Sequence, residues 1–125
     1  MTIDYRVKDG EKLGIPSFMT EFGQGNLEDV LNKTYTYKQS WLFWGYKSFG
    51  KNWGSVHLLQ EDEEMVNGIN NLLSPTYMQL TAGELVQENY DFKTHNYFAV
   101  YNAAPGGKSI LYLNKNLNYP NGFEV

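Results

Sequence analysis

Ile15-Pro16-Ser17-Phe18-Met19-Thr20-Glu21-Phe22-Gly23 is an apolar run that opens at a proline and closes on a single carboxylate. Such a run predicts a buried strand over Ile15 to Thr20 that delivers one acid to a rim. In barrels of alternating strands and helices the chemistry sits at the carboxyl ends of the strands, so Glu21 stands where a catalytic carboxylate would be held. Gly23 then lets the chain turn away.

Upstream, Ile3, Val7, Gly10 and Leu13 recur at helical spacing among Asp4, Arg6, Lys8, Asp9, Glu11 and Lys12, the pattern of an outer helix that ends at Gly14. The connection into the strand is only one or two residues long, as in an αβ joint of a barrel repeat. Downstream, Asn26 is placed to cap a helix from Leu27 to about Tyr35, with Glu28 and Asp29 in the first turn, where the helix dipole favours negative charge. Leu27, Val30 and Leu31 form its apolar stripe. A second apolar strand follows in Gln39 to Tyr46, so helix, strand, helix, strand reads as two consecutive units of an α/β barrel.

Two motifs carry a resemblance. Thr20-Glu21-Phe22-Gly23 is similar to the strand-seven nucleophile motif of family 5 glycoside hydrolases, and Trp41-x-x-Trp44-x-Tyr46 is similar to the strand-eight signature of endoglycoceramidases. The fold class expected from this resemblance is α/β: strands seven and eight of a (β/α)8 TIM barrel in residues 1–79, followed by part of an antiparallel β-sandwich in residues 80–125. Side chains alternate along a strand, so Trp41 and Phe43 point one way and Leu42, Trp44 and Tyr46 the other. The resemblance makes Trp44 the platform under the sugar at the cleavage point. Both tryptophans also suit plain packing between barrel and helices.

After Gly45 comes a segment with three further landmarks, Phe49, Trp53 and His57, on the face expected to hold the site. It is a candidate wall for the substrate. Lys47 is placed to bond sugar hydroxyls or an acidic sugar's carboxylate, or to stand solvated at the rim. His57, between Val56 and Leu58-Leu59, reads as a packed residue, and no second His lies at metal-ligand spacing. Glu61-Asp62-Glu63-Glu64 reads as the acidic first turn of a helix with Met65, Ile69, Leu72 and Leu73 on its core face, stopped by Ser74-Pro75.

Beyond Gly83 the hydrophobic period changes from 3.6 to 2. Tyr97, Ala99 and Tyr101 alternate with Phe98 and Val100, and Ile110 and Tyr112 with Leu111 and Leu113, around the turn Ala104-Pro105-Gly106-Gly107. Tyr119-Pro120-Asn121-Gly122-Phe123 supplies a second turn. This succession is similar to the C-terminal β domain of endoglycoceramidases and carries the subfamily reading.

Composition bounds the function classes. A net charge of −4 with 19% charged residues argues against a nucleic-acid partner and offers no basic patch for an anionic membrane. Aromatic residues reach 16%, which suits rings stacking on sugar faces and equally a β-rich core. With no cysteine, neither a disulfide framework nor a thiolate metal site is possible, and no cofactor is implied.

A whole barrel takes about 250 residues. The 125 here are therefore expected to be a fragment, cut at both ends, and two parallel strands alone would leave an exposed apolar face. The resemblance implies retaining hydrolysis of the oligosaccharide–ceramide bond of glycosphingolipids, with Glu21 as nucleophile. The substrate partners are glycolipids or glycans, with membrane contact only through the lipid substrate, and the location is secreted or lysosomal by family analogy. Its acid/base partner, a Glu after an Asn in this family, is expected upstream of Met1, and the fragment alone is expected to be inactive. Another family 5 activity, a β-glucosidase or glucanase, and a non-catalytic carbohydrate-binding fragment stay open as alternatives.

Overall fold

The structure, a computed structural model, describes residues 2–47, 57–60, 65–66 and 68–125. The chain forms two compact units, Met1–Glu64 and Met65–Val125.

In the first unit α1 (Thr2–Leu13), β1 (Phe18–Phe22), α2 (Leu27–Tyr37) and β2 (Ser40–Phe43) follow in the order read from the sequence. The start of α2 is fixed by Asn26, whose side-chain oxygen accepts from the Asp29 N–H at 3.3 Å. Its end is set by Lys38 in the left-handed region at φ 49°, donating its N–H to Tyr35 O at 3.1 Å. The expected stripe Leu27, Val30 and Leu31 is buried, joined by Thr34 and Tyr35, and Leu31 has no exposed surface at all. On α1, Val7 and Gly10 are buried, whereas Leu13 is exposed. Asp4 joins the two helices: it pairs with the Lys33 ammonium and accepts the Tyr37 hydroxyl at 2.7 Å. These two donors, Lys33 first, hold its carboxyl below the usual aspartate value.

β1 and β2 pair in parallel, Phe18 opposite Ser40 and Met19 opposite Trp41. The register then slips by one residue, so that Phe22 rather than Glu21 stands opposite Phe43. The strand read over Ile15 to Thr20 is displaced: it runs Phe18–Phe22, and Ile15 and Phe18 are more than half exposed rather than buried. The reason is local, because the Ile15 N–H is spent on Gly10 O at 3.0 Å, closing the end of α1. A further pairing continues the sheet direction: Leu58 and Leu59 donate to Gly45 O and Tyr46 O at 3.1 and 2.9 Å, and Lys47 bridges Leu59 in parallel.

The second unit holds α3 (Ile69–Leu73), β3 (Tyr77–Leu80), β4 (Gly83–Tyr90), β5 (Tyr97–Ala103), β6 (Ile110–Tyr112) and α4 (Lys115–Asn118). β4 pairs with β5 and β3 with β6, both antiparallel. The turn at Ala104 to Gly107 links β5 to β6, yet the two strands belong to different pairs. Glu88 ties the pairs together, its Oε2 accepting from the Met78 N–H at 3.3 Å and the Tyr97 hydroxyl at 2.8 Å. Burial, with Glu88 beside it, pushes the Tyr97 phenol up.

The acidic run 61–64 expected to open a long helix lies outside the described residues. Met65 is not helical, and the helix begins only at Ile69 and stops before Pro75. The units divide between Glu64 and Met65, earlier than the boundary read at residue 79. Residues after α3 are tied into the second unit, Ser74 O accepting from Asn118 Nδ2 at 2.6 Å and the Thr76 hydroxyl meeting that of Tyr119 at 2.6 Å.

Candidate functional site

The parallel pair brings Glu21 and Trp44 to one place. Both line a concavity of about 320 Å³ together with Phe22, Gly23 and Gln24. Phe22 is the inner wall: its ring meets Trp41 edge-on at 5.3 Å and Phe43 at 5.5 Å, and all three lie on the covered side. Burial alternates along β2 and beyond, with Trp41 and Phe43 half-buried and Leu42, Trp44 and Tyr46 exposed, as strand alternation requires.

The slip in β1 decides where the acid goes. Thr20 and Glu21 are both exposed in succession before Phe22 turns in, so the extra residue moves Glu21 off the covered face and onto the side of Trp44. The backbone locks this arrangement, since the Trp44 N–H donates to Phe22 O at 2.7 Å. The Trp44–Gly45 peptide is cis. Trp44 is 60% exposed, an indole presented to whatever occupies the concavity.

Beyond it the segment is held from behind. The His57 ring lies so close to Gly45 that a Cβ there would come within 3.3 Å of Nδ1, which fixes the backbone beside the ring. His57 is half-buried, and its Nδ1 is buried with no hydrogen-bond partner among the described residues. Tyr46, largely exposed, and the half-buried Lys47 follow on the same segment, and neither lines the concavity of Glu21 and Trp44. The stretch with Phe49 and Trp53, read as a substrate wall, lies outside the described residues.

Gln24 was not singled out by sequence reasoning; the available signal was its place in the turn directly after the acid. On its other flank Glu21 borders an open, mainly apolar groove of about 600 Å³ along β1, lined by Leu13, Pro16, Phe18 and Met19 among others. Chemically, the concavity offers one carboxylate beside one flat ring. A ring of this kind stacks on the C–H face of a sugar, and an ionised carboxylate beside it is positioned to attack an anomeric carbon. Among the described residues no other carboxylate lines this concavity, and no group of three or more His, Asp or Glu is arranged to hold a metal.

Comparison with known proteins yields the same family as the motifs. The chain is 32% identical over 134 aligned positions to an endoglycoceramidase of Hydra vulgaris, and 27% identical over 138 to an endoglycoceramidase of Cyanea nozakii. Each alignment takes in 98% of this chain but only 26% and 27% of the relative, so the chain spans about a quarter of the length of the curated relatives it matches. No family model matches it. No solved structure matches it either. With similarity running through both units and through the segment that unites Glu21 with Trp44, the chain is endoglycoceramidase-like over nearly its entire length.

Proposed function

We propose that this segment carries the nucleophile and a sugar platform of a retaining glycoside hydrolase that cleaves the bond between oligosaccharide and ceramide in glycosphingolipids. The observation that carries the reading is the shared concavity of Glu21 and Trp44 at the ends of adjacent parallel strands. The names of the relatives support the substrate class. In this reading the two strands are the seventh and eighth of a family 5 barrel, and the second unit begins a β-sandwich.

The mechanism follows from the residues. Glu21 attacks the anomeric carbon of the sugar joined to ceramide, forming an ester while the alkoxide of the lipid takes a proton and leaves. Trp44 holds that sugar face-on, so attack comes from one side only. A second carboxyl, about 5 Å from the first, must protonate the leaving oxygen and then activate the water that frees the glycan. We assign that role to a residue in the part of the relatives that this chain does not span, and expect no turnover from the 125 residues by themselves.

The test uses the complete protein containing this segment. Incubation with a fluorescent ganglioside and, separately, with a soluble cello-oligosaccharide should give headgroup release from the first only. Release from the second alone would replace the lipid-glycan reading by a glucanase one. A 2-fluoro glycoside that traps the ester should label the peptide bearing Glu21, whichever substrate wins.

A further inference from the structure

The second unit contains a cavity of about 750 Å³, bordered by Thr94, His95, Asn96, Asn118, Tyr119 and Phe123 among others, that the proposed hydrolysis does not use. Asn118 is 4% exposed. Its amide orientation is set, because Nδ2 donates to Ser74 O at 2.6 Å, and this leaves Oδ1 buried with no hydrogen-bond partner. A buried acceptor with nothing to accept from is destabilising, so such a group points to a donor that the isolated chain does not provide.

The surroundings narrow the donor. The walls beside Asn118 are already satisfied: the Tyr119 hydroxyl donates to His95 O at 2.9 Å and contacts the Thr76 hydroxyl, and the Tyr90 hydroxyl meets His95 Nδ1 at 2.6 Å. His95 itself is held at φ 59°, a conformation that a residue with a Cβ adopts only when its surroundings fix it. These contacts make a polar floor with one buried, unpaired acceptor. At the mouth, Phe123 is about half exposed, its ring 5.7 Å from that of Tyr119, and Thr94 and Asn96 are exposed beside it. No Lys or Arg borders the cavity and Glu124 does, which argues against an anionic ligand.

A neutral molecule with hydroxyl donors and an apolar face satisfies all of this, and we infer that the cavity is a second carbohydrate site, holding a neutral sugar by a hydroxyl donated to Asn118 Oδ1 and by stacking on Phe123. It is independent of Glu21 and Trp44, which belong to the other unit.

The test is a titration of the ¹⁵N-labelled chain with lactose, followed by amide shifts. Saturable shifts at 94–97 and 118–123 are expected, with a dissociation constant in the millimolar range, the scale of one or two net contacts. Phe123→Ala removes an exposed ring and should weaken binding about three- to tenfold without unfolding. Asn118→Ala should weaken it similarly, and if that variant unfolds, Phe123→Ala and Thr94→Val decide alone. Absence of saturable shifts in this region, or shifts unchanged in Phe123→Ala, would overturn the inference and leave water as the partner of Oδ1. Shifts confined to residues around Glu21 and Trp44 would also overturn it while leaving the hydrolase reading intact.

Discussion

On the proposed reading, replacing Glu21 by Gln and Trp44 by Ala in the complete protein should separate chemistry from binding. Glu21 is exposed, so the isosteric amide should change folding stability by no more than about 0.5 kcal/mol. Turnover should nevertheless fall by several orders of magnitude at little-changed substrate affinity, because the attacking charge is gone. Trp44 is 60% exposed, which leaves on the order of 100 Å² of its ring covered by protein. At about 25 cal/mol per Å² this is an upper estimate of about 2.5 kcal/mol for the folding cost of Trp44→Ala. Its effect on kcat/KM should be a loss of about one to three kcal/mol, roughly five- to 150-fold, felt mainly in KM, since stacking acts in ground and transition states alike. Steady-state kinetics on a fluorescent ganglioside, with a melt of each variant, reads both quantities. Near-normal turnover in Glu21→Gln, or a trapped ester on another carboxylate, would refute the assignment of Glu21. A Trp44→Ala enzyme with unchanged KM would refute the platform.

Further expectations concern the scaffold. Leu31→Ala, at a fully buried position, should cost about 2–5 kcal/mol, seen as a lowered urea midpoint. Asn26→Ala removes the cap of α2 and should cost about 1 kcal/mol by the same measure. Gly83→Ala should disrupt β4 and β5 outright, because Gly83 sits at φ 128° and a Cβ there would overlap Asn102 O; near-native circular dichroism and melting would contradict this. The Asp4 carboxyl titrates below 3.8 in the folded chain, so the stability it adds is present above that value and lost as pH falls through its lowered pKa. In Asp4→Asn the acid limb of a stability–pH curve should accordingly be flatter.

The first unit was largely readable because its signals are local. Asn26 with Glu28 and Asp29 announces α2, and Leu27, Val30 and Leu31 name its buried face before any partner is known. Alternation from Trp41 to Tyr46 gave the two sides of β2 correctly. The limits of β1 were not readable, since hydrophobicity in Ile15 does not reveal that its N–H is claimed by Gly10. The second unit was harder. β4 was missed because Gly83-Glu84-Leu85-Val86-Gln87-Glu88-Asn89-Tyr90 is mostly polar, and its order comes from pairing with β5 rather than from its own pattern. The floor around His95 and Asn118 was invisible for the same reason: its members are brought together by hydrogen bonds across as many as 44 positions of sequence.

The slipped register between Met19 and Phe22 makes the site depend on counting as well as on chemistry. Deleting Thr20 would leave Glu21, Trp44 and every apolar residue of β1 in the sequence. It would remove only the odd residue, so Met19 and Phe22 would stay opposite Trp41 and Phe43 with Glu21 as the single outward residue between them. Pairing the same residues without the slip would instead bring Glu21 opposite Phe43 and turn its carboxylate to the covered face, so a relative with one residue fewer in this strand keeps its acid on the tryptophan's side, whereas straightening the strand at its present length does not.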